Sequence, residues 1–253
     1  MHQGSDKDQP TRLDHRRFGR RFYELFKSIP GPIGLIWTTS TLVTIAIWAY
    51  LAIQGGQWLT NDELPNVPLI IASLLMLWLL DALRHGLYRP MRKMALEDEG
   101  PTSLSDTFID AASRIPAVMK AQAAVTALLV FVVFFTAWLV PEFIIYPFYF
   151  ASFVLGPVVY FVASQKTGVF TAVSRSITVA RRHVLYILGI PALFVCLGPL
   201  VDSSSIFDFM GDLVLSSDAL DWWKAISIFI VYRYSRWISI SAAYVAVDEI
   251  EGE

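Results

Sequence analysis

Asp81, Arg233 and Arg236 stand inside stretches otherwise apolar enough for hydrocarbon. An arginine at the bilayer centre costs about 2.5–3.5 kcal/mol on insertion scales, so an intramembrane charge calls for a partner or a task. Arg233 follows Trp222 by 11 residues, or ~16 Å at a rise of about 1.5 Å per residue, which is close to mid-depth. Arg236 lies one turn further along nearly the same face. Asp81 comes 13 residues after Pro68, and Arg236 comes 14 after Trp222. These matching depths predict an ion pair between Asp81 and Arg236, with Arg233 as a surplus cation facing a polar cavity or headgroups drawn inward. Two readings stand side by side. The charges lock two helices together, or they line a groove that handles an anion, a lipid headgroup or a nascent chain.

Other chemistry is sparse. Of four histidines, His2 and His15 lie in a polar tail, and His85 and His183 fall at segment boundaries beside Arg84 and Arg182. The plain reading of those two is a side chain reaching for the interface. No His-Glu-x-x-His motif, Walker loop or Gly-x-Ser-x-Gly elbow occurs. No catalytic residue, metal or cofactor is therefore expected. The single Cys196 leaves no disulfide within the chain and no clue to redox compartment. One dense basic run, Arg16, Arg17, Arg20 and Arg21, adjoins an apolar segment, which explains it without nucleic acid.

The elements that must position these charges are six apolar segments. The chain of 253 residues is 55% apolar and 17% charged, where a soluble domain carries about 25% charged residues. A span needs roughly 20 apolar residues. Segment one runs over about 33–53, segment two from Pro68 past Asp81 and Arg84, and segment three over about 118–140. Segment four, about 143–163, carries Pro147 and Gly156-Pro157 and should kink. Segment five covers about 184–201 and segment six about 222–247. The first 32 residues are too polar for a cleavable signal peptide, so segment one is expected to be an uncleaved anchor.

Orientation follows from the basic residues. Of 20 Lys and Arg, 17 fall in the N-terminal tail and in the second and fourth connections, while the connection 202–221 holds five Asp and no base. With an even number of spans this predicts a multi-pass protein of the inner (plasma) membrane with both termini cytoplasmic. Residues 33–247 then form the transmembrane domain, 1–32 a cytoplasmic tail, and 248–253 an acidic C-terminal tail. Trp58, Trp138, Trp222 and Trp223 mark outer ends, and Tyr88 and Tyr244 inner ends.

An amphipathic helix is expected before each odd-numbered span. Phe18, Phe22 and Leu25 share a face in the first. In the second, Phe108, Ile109, Ala112 and Ile115 oppose Asp106, Asp110 and Arg114, with Ser103 or Ser105 as N-cap. In the third, Phe170, Val173, Ile177 and Ala180 oppose Ser174, Arg175, Thr178 and Arg181. Such helices lie in the headgroup layer or pack on the bundle's inner ends. The basic residues Arg16, Arg17, Arg20, Arg21, Arg181 and Arg182 suit an anionic leaflet, so the lipid bilayer is the expected partner. A short outer helix is expected at Ile206, Phe209, Met210 and Leu213.

The stretch Glu99-Gly-Pro-Thr-Ser-Leu-Ser-Asp-Thr-Phe108 with Ala112, Arg114 and Pro116, and the stretch Gly168-Val-Phe-Thr-Ala-Val-Ser-Arg-Ser-Ile177 with Ala180-Arg-Arg-His183 and Leu188-Gly-Ile190, resemble a known family. They are similar to the bacterial six-helix membrane proteins related to the membrane domain attached to some glycerophosphodiester phosphodiesterases. The resemblance covers about residues 15–250 and implies an all-α polytopic fold of three hairpins. The phosphodiesterase chemistry of that family belongs to a separate soluble domain that has no counterpart in this sequence, so no catalytic residue carries over. The function expected is that of a non-enzymatic membrane scaffold or accessory subunit acting at the inner leaflet, with or without a protein partner. The alternative is a transporter or insertase-like protein with a polar groove around Arg233 and Arg236.

Overall fold

The computed structural model describes residues 19–20, 23, 31–61, 66–96, 103–139, 145–187, 189–193 and 219–252, and among these it is helical with no strand. The helices are α1 (Gly31–Asn61), α2 (Val67–Gly86), α3 (Tyr88–Leu96), α4 (Leu104–Ala112), α5 (Ile115–Leu139), α6 (Ile145–Gln165), α7 (Val169–Arg182), α8 (Val184–Ile187) and α9 (Ala219–Gly252). Three stretches are long and apolar enough to cross a membrane: Gly31–Leu51, Val67–Met94 and Ile115–Leu139; Phe150–Gln165 is a shorter apolar helix. Many large apolar side chains of the three long stretches are exposed, among them Leu74, Leu75, Phe131 and Phe134, as on lipid-facing surfaces, whereas Phe150–Gln165 buries most of its own. Most of the expected helix over 16–27, all of that over 206–213, and half of segment five lie outside the described residues.

Local chemistry sets the boundaries. Asn66 caps α2 by accepting from the Leu69 amide at 3.3 Å, and Pro68 occupies the first turn, where a missing N–H costs nothing. Ser103 is the N-cap of α4, accepting from the Asp106 amide at 3.1 Å, one of the two serines expected there. Pro116 sits in the first turn of α5. In α6, Pro157 lies within the helix and removes the bond to the Phe153 carbonyl. The neighbouring Val154 carbonyl accepts from the Ser176 hydroxyl of α7, a side chain from the next helix satisfying backbone near the break.

The core sits toward one end of the bundle. Tyr88 stacks on Trp237 with ring centroids 5.9 Å apart and meets Tyr160 edge-on at 5.5 Å. Tyr244 closes the cluster, 5.6 Å from Tyr160. Small residues let the helices approach. A Cβ at Gly86 would collide with the Ala111 carbonyl, and one at Gly156 would lie 2.7 Å from the Tyr244 hydroxyl.

Both α4 and α7 pack on the bundle by their small residues. Thr107 and Ala111 are the buried side chains of α4, and Ala172, Ser176, Val179 and Ala180 those of α7. The large residues of the expected apolar faces, Phe108, Ile109, Phe170 and Ile177, point outward, with Phe170 92% exposed. The two-faced reading therefore becomes a three-faced one: small residues inward, large apolar ones outward, charges on the remaining arc. Residues with little side chain permit close helix contact, and the bulky ones have no room there.

Candidate functional site

Charged side chains of α3, α7 and α9 converge beside this core. Asp248, read from sequence as the first residue of an acidic tail, is a buried side chain of α9, 3% exposed. The helix runs on to Gly252, so the expected tail begins inside it. Arg92 Nε of α3 donates to Asp248 Oδ2 at 2.8 Å, and the Tyr160 hydroxyl of α6 donates to the same oxygen at 3.2 Å. Arg175 Nη2 of α7 donates to Oδ1 at 3.0 Å, as does Gln165 Nε2 at the end of α6. Arg175 also donates to Gln165 Oε1 and stacks over the Phe161 ring at 4.7 Å. One carboxylate thus takes donors from three other helices, which is how a buried charge is tolerated.

Next to this hub opens a cavity of about 510 Å³ lined by Arg89, Arg92, Lys93, Arg114, Ser164, Gln165, Lys166, Thr167, Arg175 and Asp248. Arg89 pairs with Asp110 at 3.0 Å and Lys93 with the same carboxylate at 3.6 Å. Among the described residues, six cations here meet two carboxylates. The cations unaccounted for by these two acids are Arg114 and Lys166. Arg114 Nε and Nη2 and the Thr167 hydroxyl are buried with no hydrogen-bond partner among the described residues. Burial, then the charge of Arg89, lower the Arg114 pKa from its ordinary value; Asp110 acts the other way. Lys166 has a left-handed backbone, φ 58°, a conformation that costs a non-glycine residue about 1–2 kcal/mol.

The charges expected inside the membrane are arranged differently from expectation. Asp81 does not pair with Arg236. Its Oδ1 accepts from Arg84 Nη2 at 3.1 Å and its Oδ2 from Gln122 Nε2 at 2.6 Å. His85 lies 3.4 Å from Oδ2, with its Nδ1–H donating to the Asp81 carbonyl at 2.8 Å. Arg84 reaches on to Thr41 at 3.4 Å. Partners at i+3 and i+4 on the same helix displaced the pairing inferred from depth. Of the two deep arginines, Arg233 is the one whose charge acts on Asp81, while Arg236 lies within electrostatic reach of Tyr244. His85 belongs to the Asp81 cluster instead of the interface. Arg84 Nε and Gln122 Oε1 are buried there without a partner.

The interfacial basic set is only partly visible. Arg181 and Arg182 are exposed at the end of α7, and Arg20 is exposed; Arg16, Arg17 and Arg21 lie outside the described residues. Among the described residues no group of three His, Cys, Asp or Glu could hold a metal ion. The basic cavity was missed from sequence because its arginines were already accounted for by topology. A signal did exist: Asp248 falls one helical turn after Tyr244, on a face continuous with buried Ser241 and Val245.

No protein-family model, curated protein or solved structure matches the chain. The arrangement can therefore be read only from its own groups: among the described residues, a recess lined by six cations and one carboxylate.

Proposed function

We propose that the chain is a non-enzymatic integral membrane protein of six spans, with both termini cytoplasmic. It acts at the inner leaflet of the plasma membrane as a scaffold or accessory subunit whose inner face binds anions. One observation carries this reading. Nearly every group lining the basic cavity comes from the two connections that the charge bias assigns to the cytoplasm, joined there by Ser164 and by Asp248 at the end of α9. The outward Phe108, Ile109, Phe170 and Ile177 flank the same end, and bulky apolar groups beside cations suit an anionic headgroup layer.

Cysteine labelling tests this. In a Cys196→Ser background, a cysteine at Lys166 should resist a membrane-impermeant maleimide in intact cells and react once the membrane is opened. A cysteine at Asp212 should react in intact cells. Labelling of position 166 from outside would overturn the topology.

The transporter reading retains one supporting observation: the unpartnered Arg84 Nε and Gln122 Oε1 beside Asp81, two polar atoms that water or a passing solute would satisfy. Its centre moves from Arg233 and Arg236 to Asp81 and Arg84. It expects Gln122→Cys to react with a water-borne thiol reagent, and an inert cysteine there would count against it.

A further inference from the structure

The basic cavity has a more specific chemistry than general attraction for anions. Its cations divide into two groups. Arg92 and Arg175 are tied to Asp248, and Arg89 and Lys93 to Asp110; these form fixed walls. Arg114 and Lys166 stand outside these pairs, and Arg114 carries the sharper signal. Nε and Nη2 form one edge of the guanidinium, the fork that grips two oxygens of a carboxylate or phosphate at once. Among the described residues both atoms of that edge lack an acceptor, and so does the Thr167 hydroxyl. A buried guanidinium edge left unpaired is costly, so the missing acceptor is the informative feature. The adjoining Lys166 is held in a left-handed backbone conformation, between Gln165 on the Asp248 hub and Thr167. Strain of that kind clusters where a side chain must be presented to a ligand.

From this geometry we infer that the cavity is a binding site for a phosphate group, gripped by the Nε–Nη2 edge of Arg114, by the Thr167 hydroxyl and by the Lys166 ammonium. The inference rests on the anion-binding reading of this face and names its ligand class. Among the described residues, the surplus of six cations over two carboxylates favours a dianion over a monoanion. A phosphomonoester or inorganic phosphate carries about −1.5 to −2 charges at pH 7, whereas a carboxylate or phosphodiester carries one. At about 510 Å³ the cavity is in the range of small-ligand sites, roughly 300–1,000 Å³, and excludes a nucleic-acid duplex. The same phosphate could belong to a lipid headgroup or to a soluble ester.

The test uses the full chain, purified in detergent in phosphate-free buffer, with calorimetric titration of inorganic phosphate. A parallel arm measures binding to nanodiscs containing phosphatidic acid, a lipid phosphomonoester, against phosphatidylglycerol, a phosphodiester. Phosphate is expected to bind with preference over sulfate and chloride. Arg114→Gln should weaken binding roughly 10- to 100-fold, and Arg114→Lys, which keeps the charge and loses the fork, about tenfold. Thr167→Val should have a smaller effect of the same sign, and Arg182→Gln, outside the cavity, none. Preference for phosphatidic acid in the second arm identifies a headgroup as the source; phosphate binding without lipid preference identifies a soluble one. No binding by folded wild-type protein in either arm overturns the inference, as does equal loss in the Arg114 and Arg182 variants. Should Arg114→Gln not fold, Arg114→Lys and Thr167→Val decide. Because binding is read in detergent, failure here is distinct from failure of the proposed topology.

Discussion

Asp81 and Asp248 are both carboxylates in an apolar bundle, and they solve the same problem in opposite ways. Asp248 draws Arg92, Tyr160, Gln165 and Arg175 from positions 156, 88, 83 and 73 residues away. Asp81 uses Arg84 and His85 of its own helix, plus Gln122. Its side chain remains 43% exposed, against 3% for Asp248. The first carboxylate joins four helices and is fully engaged. The second completes one helix and joins it to α5, leaving Arg84 Nε and Gln122 Oε1 over. A buried charge with distant partners is a folding constraint, whereas one with local partners keeps its surroundings free to change.

This contrast predicts an order of effects. Asp248→Ala leaves two guanidinium groups without their carboxylate and should destabilise the fold by about 3–5 kcal/mol, the usual result of breaking a buried pair from one side. Thermal unfolding in detergent reads this directly, and a loss near zero would mean that the hub is not structural. Next in size, Arg92→Met and Arg175→Met should be strongly non-additive, with a coupling of about 1–3 kcal/mol, because both act through one carboxylate. Additive losses would dissolve the hub into separate contacts. Asp81→Asn should cost less, about 1–2 kcal/mol, since asparagine can still accept from Gln122; a loss matching that of Asp248→Ala would erase the distinction drawn here. Lys166→Gly relieves a left-handed backbone and should raise stability by up to about 1 kcal/mol, while weakening phosphate binding. The smallest effect belongs to the double reversal Asp81→Arg with Arg236→Asp. It should show a coupling below about 0.5 kcal/mol, and rescue of one change by the other would restore the ion pair that depth alone suggested.

Much of the architecture was legible in the chain. Uninterrupted apolar runs gave α2, α5 and α6 with small boundary errors, and Ser103 announced the start of α4. The periodicity at 104–112 and 169–182 found two short helices correctly but not their inward faces. A hydrophobic pattern points large apolar residues to a core, whereas here lipid-like exposure is open to Phe170 and close packing selects Ala172 and Ser176. The site was harder to read for a related reason. Arg89, Arg92, Arg114 and Arg175 satisfy the topological charge bias whether or not they meet, so their count carries no information about their convergence. Asp248 looked like tail because four of the last six residues are acidic. Its role depends on donors that only the folded bundle brings within 3.2 Å. For Asp81, depth matching compared segments and overlooked the cheaper partner one turn away.

The distance in sequence between Asp248 and its partners has a consequence in time. Arg92 is made 156 residues before the acid, and Arg175 is made 73 before it. At about 5–20 residues per second, roughly 8–30 seconds pass between the synthesis of Arg92 and the arrival of its carboxylate. Throughout that interval this end of the nascent bundle is more cationic than in the finished one. Docking of α9 is then the event that discharges it, and an unfinished or misassembled chain keeps a surface charge by which it can be told from a complete one.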